Sequence, residues 1–169
     1  MIKSITKHLY NHSDKYVLLA TFLIAFTVYY YLNNENQLLL TIVGFGITIF
    51  ISLRQYRIEN DKMFKELFIM YNEKYDNKFN NCLNDIDKCV LENPNYELNE
   101  EQMQIVIDYL NLCAEEYLWH KKGRLDKTAW NSWERGMKYY LNISAIEKVI
   151  QNQNKQKDSY YGIFEYLKL

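Results

Sequence analysis

Residues 16–53 read YVLLATFLIAFTVYYYLNNENQLLLTIVGFGITIFISL, and this stretch decides the fold. Tyr16 to Leu32 is seventeen residues without a charge, and Leu38 to Leu53 is sixteen more. Between them Asn33 to Gln37, NNENQ, makes a polar five-residue turn. At about 1.5 Å per residue each run extends roughly 25 Å as a helix, slightly less than a hydrocarbon core. Snorkelling, bilayer thinning or one further helical turn covers the shortfall. One such run alone could be a buried core helix. Two in tandem, joined by a tight polar turn, predict a transmembrane hairpin with spans at about 16–32 and 38–53.

The basic residues orient the hairpin. Lys3, Lys7 and Lys15, with His8 and His12, precede the first run, and Arg54, Arg57, Lys62 and Lys65 follow the second. The turn holds no Lys or Arg, only Glu35. The positive-inside rule then places both termini in the cytoplasm of a bacterial inner membrane and the turn outside, with Tyr29, Tyr30 and Tyr31 at the outer interface. The apolar run is long, lacks a small-residue cleavage site and leads at once to a second run, which argues against a cleaved signal peptide. Neither run carries Asp, Glu, Lys, Arg or His, so nothing supports a proton relay or charged pore within the bilayer. Gly44 and Gly46, with Thr41, Thr48 and Ser52, allow close approach of another helix.

The whole chain has 169 residues, 49% hydrophobic and 24% charged, with a net charge of −1 and a single proline. That composition excludes collagenous, proline-rich and disordered chains. Mean hydropathy of −0.39 excludes a wholly embedded bundle. The fold expected is all-α: an N-terminal arm and hairpin over residues 1–53, then a helical cytoplasmic domain over 54–169. Ile58, Phe64, Leu67, Phe68, Tyr71, Tyr75, Phe79, Leu83 and Ile86 recur at spacings of three and four, which predicts a long juxtamembrane helix to about residue 90, broken at Asn93-Pro94-Asn95. A capping box at Asn99 and Gln102 opens a helix that ends at Lys121, Lys122 and Gly123. Asp126 caps the next, to about Leu141, with Leu125 stapled on Trp130. Ser144 with Glu147 predicts another box, for a helix to about Gln153. The chain closes on SYYGIFEYLKL, read as a short docking helix.

Catalytic chemistry finds no footing in this sequence. Cys82, Cys89 and Cys113 form no C-x-x-C pair, His8 and His12 lack a third ligand, and His120 is the one histidine of the helical domain. No phosphate loop, G-x-G-x-x-G or G-x-S-x-G occurs. The expectation is a non-enzyme without cofactor or metal. The charge, however, is polarised. Glu59 to Tyr117 carries fourteen acidic and five basic residues; Leu118 to Lys157 carries nine basic and three acidic. In the basic half, Lys121, Lys122, Arg124, Lys127, Arg135 and Lys138 interleave with Trp119, Trp130 and Trp133, beside His120. One reading is structural: tryptophans three apart face a core, and the basic half complements the acidic half. The other is a site for an anionic, base-containing ligand, with cations on phosphates and rings on bases. A small nucleotide suits it better than long nucleic acid, which the acidic domain would repel.

This layout of basic N-terminus, two-helix hairpin and helical cytosolic domain resembles the two-span membrane effectors of bacterial antiphage defence that accompany type III CRISPR systems. The resemblance lies in architecture along the whole chain and in no diagnostic motif. It implies a cytoplasmic domain that binds cyclic tetra-adenylate, a cyclic oligonucleotide, and a membrane part that then disrupts the bilayer lipid. Homo-oligomers are expected, and a tetramer would match a four-fold ligand by symmetry. A second similarity is confined to LNLCAEEYLWHKKGRLDKTAWNSWERG, Leu110 to Gly136, which looks like a pattern in a broad family of bacterial helical proteins and bears on the fold alone. The alternatives are a membrane-anchored adaptor holding a protein partner and a holin-like toxin hairpin.

Overall fold

A computed structural model of the chain describes residues 12–31, 36–155 and 159–168. Among these every regular element is helical: α1 (Ser13–Tyr31), α2 (Asn36–Lys74), a π-helical turn (Tyr75–Phe79), α3 (Asn80–Glu92), α4 (Glu100–Lys121), α5 (Lys127–Leu141), α6 (Ser144–Gln153), a 3-10 turn (Ser159–Gly162) and α7 (Ile163–Leu167). The basic arm before His12, the turn around Glu35 and residues 156–158 lie outside the described residues. The chain divides into two compact units between Lys62 and Met63, inside α2 and further along than the boundary expected at residue 53.

In the first unit α1 and α2 run antiparallel. Near one end the Arg57 guanidinium pairs with the Asp14 carboxylate at 2.7 Å. Further along, Gly46 lies so close to Thr21 that a Cβ there would collide with the Thr21 side chain. The hydroxyls of Thr21, Thr27, Thr41, Thr48 and Ser52 each donate to the carbonyl four residues back, at 2.8–2.9 Å. These side-chain hydroxyls are thereby satisfied within their own helices. Phe22, Phe45 and Leu40 are 68%, 68% and 74% exposed.

One continuous helix, Asn36–Glu92, is long and apolar enough to cross a membrane, and 6% of its most apolar stretch is buried within the chain. The core helix of a soluble protein would be mostly buried. Where two such helices were expected, one meets the measure among the described residues. α1 falls short because its nineteen described residues include Asp14 and Lys15 at one end and three tyrosines at the other.

The second unit is built on a core of Tyr71, Phe79, Leu83, Ile86, Val106, Leu110, Cys113, Trp130, Met137, Leu141, Ile146, Ile163 and Phe164, each at most 4% exposed. The capping box at Asn99 forms as expected: Gln102 N–H donates to Asn99 Oδ1 at 2.8 Å, and Asn99 N–H to Gln102 Oε1 at 3.1 Å. Gly123 ends this segment at a φ of +68°, in the left-handed region that glycine enters without strain. Asp126 accepts from Thr128 and Ala129 to open α5. The box expected at Ser144 is absent. Ile143 is the N-cap residue, its carbonyl accepting from Ile146 and Glu147, and Ser144 is already helical. Ile143 is 8% exposed, so its anchoring in the core sets the start one residue early. α7 docks through Ile163, Phe164 and Leu167.

The π-helical turn is the element that the periodicity did not announce. It falls in the long helix between Lys74 and Asn80, and Phe79 leaves ideal helical geometry at φ −110°. Such turns accommodate one extra residue and are frequent at functional sites.

Candidate functional site

Two places in the second unit concentrate chemistry. The first is a cavity of about 200 Å³ beside the π turn. Tyr71 and Asn72 of α2 and Tyr75 of the π turn line one side. Tyr109 and Glu116, seven residues apart and so on one face of α4, line another. Ser132, Trp133, Gly136, Met137 and Tyr140, at α5 spacings of one, four, five and eight, close the third. Tyr71 and Trp133 meet edge to face at 5.8 Å and 77°, and Tyr109 and Tyr140 at 6.3 Å and 86°. Phe68 stacks on Trp133 at 5.6 Å and 15°.

Hydroxyls fix the rings. Tyr140 Oη donates to Asn84 Oδ1 at 2.8 Å, and Tyr75 Oη lies 3.3 Å from both Asn80 Oδ1 and Tyr140 Oη. Asn84 Nδ2 donates to Asn80 Oδ1 at 2.9 Å, so α3 and α5 are joined through the tyrosine tips. The neighbouring Tyr139 adds a bond to Asp87 Oδ2 at 2.7 Å.

Glu116 is the one buried charged residue among those described, at 6% exposure. Burial pushes its carboxyl up to about 8; the charge of Glu115 pushes the same way and Lys74 opposes. Burial likewise raises the Tyr71 and Tyr75 phenols, with Glu115 acting next on Tyr71 and the Tyr140 hydroxyl next on Tyr75. Tyr109 and Cys113 are also raised chiefly by burial. The lining is therefore uncharged below neutrality, with a single carboxyl poised to ionise just above it. A carboxyl in such surroundings is one of the signatures of a functional site. No histidine lines the cavity, and no cluster able to hold a metal occurs among the described residues.

The second place is the basic, tryptophan-rich segment. Trp130 is 1% exposed, with His120 stacked on it at 4.3 Å and 7°, Tyr117 against it at 6.0 Å, and its indole N–H donating to Tyr166 Oη at 3.3 Å. Its faces are filled by the chain itself. Burial lowers the His120 pKa, opposed by Glu134, and His120 Nδ1 is buried without a hydrogen-bond partner among the described residues. Trp133 lines the cavity and Trp119 does not. Lys122 lies over the half-buried Trp119 ring at 4.7 Å, and Lys121 over the Tyr117 ring at 5.3 Å and 3.4 Å from the Tyr161 carbonyl. Arg135 donates back to the Asn131 carbonyl, and Lys138 pairs with Glu134 at 2.7 Å. The α4–α5 turn thus gathers Lys121, Lys122, Arg124 and Lys127, while Arg135 and Lys138 are engaged along α5.

Sequence reasoning singled out Trp133 but missed its neighbours Tyr71, Tyr75, Tyr109 and Glu116. Glu115-Glu116 reads as a solvated pair, yet Glu116 falls three residues after Cys113 on the apolar face of α4. That position was the available signal. Comparison with protein-family models, with curated proteins and with solved structures finds no match to this chain.

Proposed function

We propose that the chain is a non-enzymatic, membrane-anchored ligand sensor. α1 and α2 cross the bilayer together as a hairpin with both ends on the cytoplasmic side, and the helical unit responds to a small ligand. The observation that carries this reading is the helix Asn36–Glu92, apolar and unburied in its first part and bearing Tyr71 and Tyr75 of a cavity in its second. The exposed apolar side chains and the closed hydroxyl hydrogen bonds of α1 and α2 suit lipid. Because α1 ends in three tyrosines, its outer end fits the interfacial belt.

In the nucleotide form of this proposal the ligand is cyclic tetra-adenylate, bound at the cations of the α4–α5 turn, and a homo-oligomer of hairpins then compromises the bilayer as an antiviral effector. The four cations Lys121, Lys122, Arg124 and Lys127 support an anionic ligand. Full-length protein reconstituted in dye-loaded liposomes tests both levels. Retention in the membrane through alkaline carbonate extraction is the expected result, and release into the supernatant overturns the anchor. Cyclic tetra-adenylate should bind and provoke dye release, with both effects sharply reduced in a Lys121→Ala, Lys122→Ala, Arg124→Ala variant. No binding at tens of micromolar overturns the nucleotide form.

A further inference from the structure

We propose that the cavity beside the π turn is a binding site for a small organic cation, a quaternary or protonated amine, with Glu116 as its counter-charge. The proposal depends neither on the membrane anchor nor on the nucleotide reading, and its residues are separate from the cations of the α4–α5 turn.

The first argument is the composition of the walls. Four tyrosines and one tryptophan line about 200 Å³ of space. An apolar cavity of about 150 Å³ already admits a guest the size of benzene. Two of the ring pairs stand near right angles, at 77° and 86°, which makes corners rather than a single flat stack. Aromatic boxes of this kind attract ammonium groups through the negative potential of the ring faces, and more strongly where water is excluded.

The second argument is the carboxyl. Glu116 is 6% exposed and lines the cavity, yet no hydrogen bond or ion pair to it occurs among the described residues. Its carboxyl opens onto the cavity, where a cation would supply the partner that the chain does not. Lys74, whose charge also acts on Glu116, pairs with Glu115 at 3.7 Å. No Lys or Arg lines the cavity, so an anion would find no counter-charge there. A neutral apolar guest would leave the carboxyl as it was.

The third argument concerns the proton. The groups around Glu116 are Tyr71, Lys74 and Tyr75 from the long helix, Tyr109, Cys113 and Glu115 from α4, and Tyr140 from α5. Burial holds Tyr71, Tyr75, Tyr109 and Cys113 protonated, and Lys74 and Glu115 pair with each other. Glu116 alone is left to change charge near neutrality. A cation entering at neutral pH therefore displaces the Glu116 proton to solvent, and binding strengthens as pH rises toward about 8.

The test uses full-length protein in detergent with choline and tetramethylammonium as probes, against 3,3-dimethylbutan-1-ol, the uncharged analogue of choline with the same shape. Calorimetry and Trp133-containing fluorescence read binding between about pH 6 and about pH 8. Choline should bind with an affinity rising several-fold per pH unit, approaching the limit of about tenfold for one displaced proton. The alcohol should bind at least about tenfold more weakly. Glu116→Gln should lose at least about tenfold in choline affinity and most of the pH dependence. Gly136→Phe places a ring at the mouth, where a Cβ meets nothing within 4 Å, and should abolish binding with the helical spectrum intact. It decides the matter if the Glu116 variant does not fold. Absence of choline binding at about 10 mM, equal binding of the alcohol, or unchanged affinity in the folded variants overturns the proposal.

Discussion

Replacing Glu116 by Gln should change how the stability of the helical unit depends on pH, with no ligand present. In the unfolded chain the carboxyl titrates near its ordinary value of 4.5, whereas in the fold it holds its proton up to about 8. Between these values the folded state binds one more proton than the unfolded state, so stability falls as pH rises. Each unit of separation is worth about 1.4 kcal/mol, which gives on the order of 5 kcal/mol across the window and roughly 3 kcal/mol by pH 7. Glu116 is 6% exposed, so solvent screening does little to reduce this. Gln keeps the shape and cannot ionise. Urea unfolding of full-length protein in detergent, followed by tryptophan fluorescence, reads the difference, because Trp119, Trp130 and Trp133 all lie in the second unit. The wild type should lose stability steadily from pH 5 to pH 8 relative to Glu116→Gln, and the two should converge near the lower end. Parallel curves would refute the reasoning, since every other titrating group is common to both proteins.

Three further substitutions follow from local geometry. Asn99→Ala removes the acceptor for the Gln102 amide at 2.8 Å and should cost about 1 kcal/mol in the same urea assay. Gly136 lies inside α5 with open space around its missing Cβ, so Gly136→Ala should stabilise by roughly 0.5–1 kcal/mol, read as a higher thermal midpoint. Gly46→Val should loosen the pairing of α1 with α2, because its side chain meets Thr21; cross-linking of a cysteine pair introduced for Asp14 and Arg57 should slow several-fold, while unfolding of the second unit stays unchanged.

What the sequence made legible is what local chemistry determines. Asn99, Asp126 and Gly123 mark helix ends because a cap is an interaction between residues two or three apart, or a φ that one residue type tolerates. The all-helical class follows from periodicity that persists from Ile58 to Ile86. Ser144 shows the limit of the same logic. Its spacing to Glu147 satisfies the capping rule, but burial of Ile143 displaces the start of α6, and burial is a property of the packed chain. α1 shows another limit: a charge-free run of seventeen residues ends in tyrosines, which suit an interface and dilute the apolar character of a span.

The cavity was hidden for a reason of geometry, and its trace is in the numbers. Leu67, Tyr71, Tyr75, Phe79 and Leu83 follow one another at a strict spacing of four. An α-helix turns about 100° per residue, so each step of four drifts about 40°, and four steps drift about 160°. Leu67 and Leu83 would then face nearly opposite sides. Yet Tyr71, Phe79 and Leu83 are all at most 3% exposed, and Leu67 packs on the same core. Counting one of the sixteen residues as an insertion reduces the drift to about 60°, which one broad apolar face can accommodate. The π turn at Tyr75–Phe79 is that insertion. Three- and four-residue spacings pass for an ordinary amphipathic helix when they are pooled, and the unbroken run of fours is lost. That run requires an irregular turn, the turn sets Tyr75 beside Tyr71, and on the facing helix Glu116 falls at the position where an apolar residue would otherwise complete the core. An acidic residue at that register, beside a helix forced out of regularity, leaves a cavity where plain packing would have filled the space.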